Sequence, residues 1–385
     1  MKSSLLFVLL LLVLLVAPSE AARARRHRQR KRHGKAQNEQ KVLRIPFVRQ
    51  TADSPQVVEV LVGTPPQKLK LAVTYGVLDS DKVITLINGA DQVYDCPAGK
   101  NLSRYNPQAS TTFEELPKNE EYGEPDHREK FAYGADPTHV HSFEFLHSGW
   151  VYDQYRCLEG IAGVFPLHAR HLSAVWAALL DGKSAPIVTV VADPKPRIDG
   201  AFQTGELVIG GMAEENCEKE PKFVNTTDPF WVATSDHTLN GQKVQLNKEK
   251  WRSVLMAVDL SANQTLFEKK HWKKFVRQGL FQTDPTDGNV YVPCDRKQTF
   301  SFAMDDGERL EVSFPVDQSR RNAGGLCLLR VAETKYWNTL AADVLDDHCV
   351  HFAFHEKVGQ KLTESQEDEN ELPRGVHQVG FSKRH

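Results

Sequence analysis

Ala72-Val73-Thr74-Tyr75-Gly76 and, 185 residues later, Ala257-Val258-Asp259-Leu260-Ser261 follow one local plan, a buried-type apolar strand running into a small polar turn. Each is followed by a second matching element. Ile161-Ala162-Gly163 brings Gly163 to a point 89 residues after Thr74, and Leu340-Ala341 brings Ala341 to a point 82 residues after Asp259. A supersecondary unit used twice predicts a chain of two matching halves. Only the second turn carries a carboxylate.

Outward from these turns, the sequence consists of short apolar or alternating runs such as VVEVLVG, KLKLAV, KVITLI, PIVTVV, GELVIG and SVLMAV, broken by Gly, Pro, Asn and Asp. That spacing predicts an all-β protein. Helical patterning is confined to residues 168–180 and a piece near 269–278. Some 350 residues beyond the amino-terminal segment exceed one ordinary core and suit two domains.

The amino terminus places Lys2 before an apolar run from Leu5 to Val16 and small residues around Ser19, Ala21 and Ala22, so residues 1–22 read as a signal peptide. The run is shorter than the roughly 20 residues that cross a bilayer, and no later segment approaches that length. Residues 23–43 read as a basic disordered arm, with eight Lys or Arg and no acid in residues 23–35. Either a processing site or a polyanion-binding tail suits it, as does a solvated linker. Once the arm's charge is set aside, the formal net charge of −2 becomes −10 for residues 36–385, which argues against a nucleic-acid surface. The expectation is a secreted monomer with no cofactor.

Six cysteines, Cys96, Cys157, Cys217, Cys294, Cys327 and Cys349, suit three disulfides in an oxidising compartment, with the connectivity open. No close pair suggests zinc. Sequons begin at Asn101, Asn225 and Asn263.

The order of several further motifs resembles the pepsin-like aspartic peptidases over nearly the whole chain after the arm. Val62-Gly63-Thr64-Pro65-Pro66-Gln67 is similar to the strand and turn before that family's first active-site loop. Tyr105-Asn106-Pro107 through Phe113 resembles the segment after it, and Phe131-Ala132-Tyr133-Gly134 resembles the flap hairpin, with Tyr133 as the flap tyrosine. Gly205-Glu206-Leu207-Val208-Ile209-Gly210-Gly211 followed by Trp231 is similar to the interdomain sheet, and Val379-Gly380-Phe381 to the closing strand. The 33-residue spacing of Cys294 and Cys327 resembles the family's second-lobe disulfide. The resemblance implies a bilobal fold with a cleft: residues 44–211 as the amino-terminal β lobe with its flap, and residues 212–385 as the carboxy-terminal β lobe.

It also implies a lost reaction. Family catalysis needs two aspartates, one per lobe, sharing a proton and holding one water. Seven residues after Gln67 stands Thr74 in place of the first aspartate. A threonine hydroxyl keeps its proton at any useful pH and cannot act as a general base. Asp79 and Asp81 do not substitute, because neither has a glycine two residues on. Gly76 survives in the first turn. In the second turn Asp259 remains, but Ser261 occupies the glycine position, and Ala341 stands for the glycine of the second apolar-apolar-Gly loop. Arg44-Ile45-Pro46-Phe47 resembles a core piece of the inhibitory propeptide, or else is simply the first strand.

His139, His141 and His147 offer a weak metal pattern on a strand whose alternation equally suits a half-buried face with Phe143 and Phe145. No GxSxG elbow is present. Residues 364–371 form an acidic solvated insertion. The leading expectation is a non-catalytic homologue whose cleft takes a peptide or protein ligand, against an active aspartic endopeptidase with an altered site or a secreted structural or decoy glycoprotein.

Overall fold

The computed structural model describes residues 41–75, 83–87, 103–117, 126–133, 140–148, 158–180, 184–228, 230–246, 253–304, 307–354 and 376–385. Residues up to 211 supply β1 (Leu43–Arg49), β2 (Val57–Val62), β3 (Gln67–Thr74), β4 (Thr85–Ile87), β5 (Glu114–Glu115), β6 (His127–Tyr133), β7 (His141–Ser148), β8 (Gly163–Pro166), β9 (Ile187–Ala192) and β10 (Gln203–Ile209). The rest supplies β11 (Lys222–Asp228), β12 (Trp231–Leu239), β13 (Gln242–Lys243), β14 (Val254–Val258), β15 (Thr265–Glu268), β16 (Tyr291–Val292), β17 (Gln298–Met304), β18 (Arg309–Phe314), β19 (Val316–Arg321), β20 (Cys327–Leu329), β21 (Val331–Thr334), β22 (Asn338–Leu340), β23 (His348–Phe354) and β24 (Val376–Lys383). The protein is all-β.

Side-chain period decides how each strand sits. In β3 the lysines Lys68 and Lys70 face out while Leu69, Leu71 and Val73 face in, and from Ala72 onward every residue is buried. The change marks the point where β3 is covered on both faces. The helices α1 (Ala169–Leu179) and α2 (Lys269–Arg277) fall within the two segments with helical patterning. In α2, His271, Trp272 and Phe275 form the buried stripe while Lys274 and Arg277 complement the dipole at its carboxyl end.

Strand pairing occurs twice in one pattern. In the first half β3 runs parallel to β8, with Leu71 opposite Gly163, and β4 lies antiparallel to β8 and parallel to β7. In the second half β14 runs parallel to β22, with Met256 opposite Asn338, and β15 lies antiparallel to β22 and parallel to β21. Upstream, β2 pairs with β3 and β6 as β12 pairs with β14 and β17. The duplicated motif of the sequence is thus a duplicated ladder.

The ladder corrects one assignment. Leu71 and Met256 are 185 residues apart, the same offset as Thr74 and Asp259, so the residue facing Met256 is the counterpart of Gly163. That residue is Asn338, not Ala341. Ala341 instead precedes a 3-10 turn, Ala342–Asp346.

An antiparallel run in the order β1-β10-β9-β23-β24-β11 joins strands of both halves. Its middle seam pairs β9 with β23, setting Val188 opposite Phe352, Thr189 opposite His351 and Val190 opposite Val350. Ile45-Pro46-Phe47-Val48 lies inside β1, paired along its length with β10, so this stretch is the first strand. Because β1 begins at Leu43, the boundary drawn for the basic arm runs one residue too far.

Cys294 is bonded to Cys327, and Cys217 to Cys349, which ties the chain before β11 to β23. Cys96, Cys157, Asn101, Gly76, Gly134, Asp79, Asp81, His139, the leader, the arm before Lys41 and the acidic insertion lie outside the described residues. In β7, Phe143 and Phe145 point into the core. Among the described residues no group of three or more His, Cys, Asp or Glu side chains is arranged to hold a metal ion. No helix among them is long and apolar enough to cross a membrane.

Candidate functional site

Thr74 ends β3 in a closed environment, 3% exposed, because β8 covers it along the parallel ladder. Its carbonyl accepts the Leu167 N–H at 2.8 Å, and its hydroxyl has no hydrogen-bond partner among the described residues. The next residue, Tyr75, is buried as well, with its hydroxyl donating to the Gln56 side-chain oxygen. The first turn therefore starts from neutral groups.

The second turn is built differently. Asp259 follows β14, half-buried, with its N–H donating to the Leu340 carbonyl at 3.1 Å. Its carboxylate Oδ1 accepts the Ser261 N–H at 2.9 Å and the Ser261 hydroxyl, while its own carbonyl accepts the Ala262 N–H at 3.1 Å. An aspartate bonded to the backbone two residues on is a local turn device. Enclosure of the carboxyl raises its pKa, and the bonds from Ser261 and Ala262 offset part of that rise. Asp259 therefore keeps its proton to higher pH than a free aspartate does.

One aromatic ring borders both turns. Phe352 on β23 lies 5.7 Å from the Tyr75 ring and 5.2 Å from the Phe230 ring, and the Phe230 carbonyl accepts the N–H of Val258 at 2.8 Å. A strand of the shared sheet thus packs one ring against the residue after Thr74 and against Phe230, which is bonded to the residue before Asp259.

Tyr133 is buried. It closes β6 at 4% exposed, its hydroxyl is 3.3 Å from His171 Nε2, and its ring packs on Phe165 and Phe143. Its ring thus lies in the core, and Gly134 beyond it falls outside the described residues.

Sequence reading passed over a polar cluster beneath the second turn. Arg49 at the end of β1 and Arg330 between β20 and β21 are 2% and 3% exposed, and each donates to the Asn263 carbonyl. Asp343 and Asp346 of the 3-10 turn complete the group. Lone arginines and aspartates in loops usually lie at the surface, so composition gave no warning. Only the unusual density of acids in Asp343-Val344-Leu345-Asp346-Asp347, next to the second matched element, was available as a signal.

The two described sequons differ. Asn225 is exposed on β11. Asn263 is half-buried with its amide 3.5 Å from Asp53, and Thr265 of the same sequon is fully enclosed, accepting the Ala341 N–H. Mass spectrometry of the protein expressed through the secretory route of a eukaryotic host is expected to find the Asn263 peptide unmodified; a glycan there would contradict this packing.

The sequence matches no protein-family model and no curated protein.

Proposed function

We propose that this chain is a secreted, non-catalytic homologue of the pepsin-like aspartic peptidases, a bilobal protein that offers the region between its two turns to a peptide or protein segment without hydrolysing it. The observation that carries the reading is the duplicated ladder ending in Thr74 in one half and Asp259 in the other. The equivalent turns hold one carboxyl between them.

One carboxyl cannot do the work of two. Water activation needs an ionised base, and protonation of the scissile carbonyl needs an acid at the same moment. The Thr74 hydroxyl supplies neither, and Ser261 occupies Oδ1 of Asp259 through two bonds. The secretory leader, the cysteine pairing and the absence of a membrane-length helix among the described residues support an extracellular setting.

The test is digestion of denatured haemoglobin by purified protein between about pH 2 and 6, with and without the transition-state inhibitor pepstatin. No pepstatin-sensitive cleavage is expected, and Thr74→Asp is expected not to create any, because Ser261 remains on the second carboxyl. Cleavage that pepstatin blocks and Asp259→Ala abolishes would establish the endopeptidase reading. Binding is tested separately, by recovering peptide or protein from the native secretion on immobilised chain.

A further inference from the structure

The cluster beneath the second turn joins the two halves through main-chain carbonyls. Arg49 donates from Nε to the Ser54 carbonyl at 3.0 Å and from Nη2 to the Ala52 carbonyl at 2.5 Å and the Asn263 carbonyl at 3.4 Å. Arg330 Nη2 donates to the Ala52 carbonyl at 2.7 Å, to Asp53 Oδ1 at 3.2 Å and to the Asn263 carbonyl. Two guanidinium groups thus tie residues 52–54 to the carboxyl end of the Asp259 turn.

Asp343 stands beside them, its carboxyl bonded to the Thr265 backbone N–H and to neither guanidinium among the described residues. It is 4% exposed, and among the described residues neither its Oδ2 nor Arg330 Nε has a hydrogen-bond partner. Among the described residues the one ion pair made by either arginine is that of Arg330 with exposed Asp53. Both unpartnered atoms are buried, so each is a reason for the cluster to rearrange.

We propose that Asp343 and Arg330 form a proton-operated clamp on the Asp259 turn, closed while Asp343 is protonated and released when its carboxylate draws the Arg330 guanidinium away from the Asn263 carbonyl. As regulation of ligand binding this rests on the function proposed above; the motion of the turn does not.

Burial pushes the Asp343 carboxyl up to about 7, against the pull of Arg330 and Arg49 and with the repulsion of Asp346. The 3-10 turn also packs on β18, which brings Arg309 and Glu311, on β23, which brings His348 and His351, the latter held down to about 4 by burial, and on β9, which brings no titratable side chain. His348 is held below the ordinary histidine range by burial, so it changes charge in a more acidic window. An acid with a raised pKa in the closed form favours that form at low pH and loses the advantage as pH rises through the raised value. Closure therefore belongs to mildly acidic conditions and release to neutral and alkaline ones.

Hydrogen exchange of the full chain, followed by mass spectrometry between about pH 5.5 and 8.5 and corrected for intrinsic exchange, tests the clamp. In the peptide covering residues 259–265, protection is expected to fall about tenfold per pH unit as pH rises towards 7 and to level off above it, as an opening tied to one ionisation requires, while β23 shows no such fall. Asp343→Asn is expected to hold that peptide protected throughout. A flat profile in the native chain, or the same slope in Asp343→Asn, overturns the proposal. Should that variant fail to fold, the Asp343 Cγ shift in the native chain decides: a titration midpoint near 7 supports the clamp, and one in the ordinary aspartate range removes it.

Discussion

Acidification from about pH 6.5 to about pH 4 is expected to unfold this protein, because three buried histidines lose their hydrogen-bonded neutral state in that window. His171, 5% exposed, sits between the Pro166 carbonyl at 2.8 Å and the Tyr133 hydroxyl at 3.3 Å. His237 is 2.9 Å from the Thr234 hydroxyl, and His351 lies in the shared sheet between Thr189 at 2.9 Å and Ser382 at 2.8 Å. Burial pushes each down to about 4 from the ordinary 6.5. A folded pKa below the unfolded one means that the unfolded chain binds more protons, so this stability is present above the unfolded value and is lost as pH falls towards the folded one. Each group is worth about 3 kcal/mol at full effect, and three together reach the whole stability of an ordinary domain, about 5–15 kcal/mol. Asp343 works the other way over a range from about 7 down to the ordinary 3.8, which offsets roughly one histidine.

Thermal unfolding at stepped pH values checks this. The midpoint should drop steeply below pH 6, and His351→Gln should remove about a third of the slope; a midpoint that holds steady to pH 4 would contradict the neutral burial of all three rings. The consequence reaches function. An endopeptidase working in strong acid would have to survive protonation of His351 in the seam that joins its halves. The chain's buried histidines thus argue in the same direction as Thr74.

Much of the fold was legible because it depends on period and repetition. The alternation of Lys68, Leu69, Lys70 and Leu71 fixes which face of β3 is inward, and the stripe of His271, Trp272 and Phe275 fixes α2. Burial of polar residues was not legible. Nothing in the spacing of Arg49, Arg330 or His351 separates a buried ring or guanidinium from a surface one, since that depends on strands brought together from opposite ends of the chain. The Cys217–Cys349 bond was hidden for the same reason, because six cysteines leave many pairings until the strands are in register. Nor did the Phe131-Ala132-Tyr133-Gly134 motif show that the Tyr133 side chain packs inward on Phe165.

Gly163→Ala is expected to destabilise the protein by about 3 kcal/mol or more, at the upper end of overpacking costs, because the contact is with backbone and cannot swing away. A Cβ at that position would lie 2.0 Å from the Thr85 carbonyl oxygen and 3.1 Å from the Leu86 Cα, both on β4 as it crosses β8. The second half solves the same crossing differently. There β15 meets β22 at Leu266 opposite Thr339 alone, and Asn338 fills the position of Gly163 with a side chain. Its Oδ1 accepts the Glu268 N–H at 3.0 Å and lies 2.9 Å from His271 Nδ1, and its Nδ2 donates to the Leu255 carbonyl at 3.1 Å. The buried amide seats the amino terminus of α2 on the ladder. Asn338→Gly would leave those groups unpaired in the interior, at about 1–3 kcal/mol for each that water cannot reach. Placing glycine in the second half should therefore harm the fold as much as removing it from the first, which equilibrium unfolding in denaturant with an unchanged slope would reveal. If Gly163→Ala costs less than about 1 kcal/mol, the close crossing of β4 and β8 is wrong, and with it the equivalence of Gly163 and Asn338.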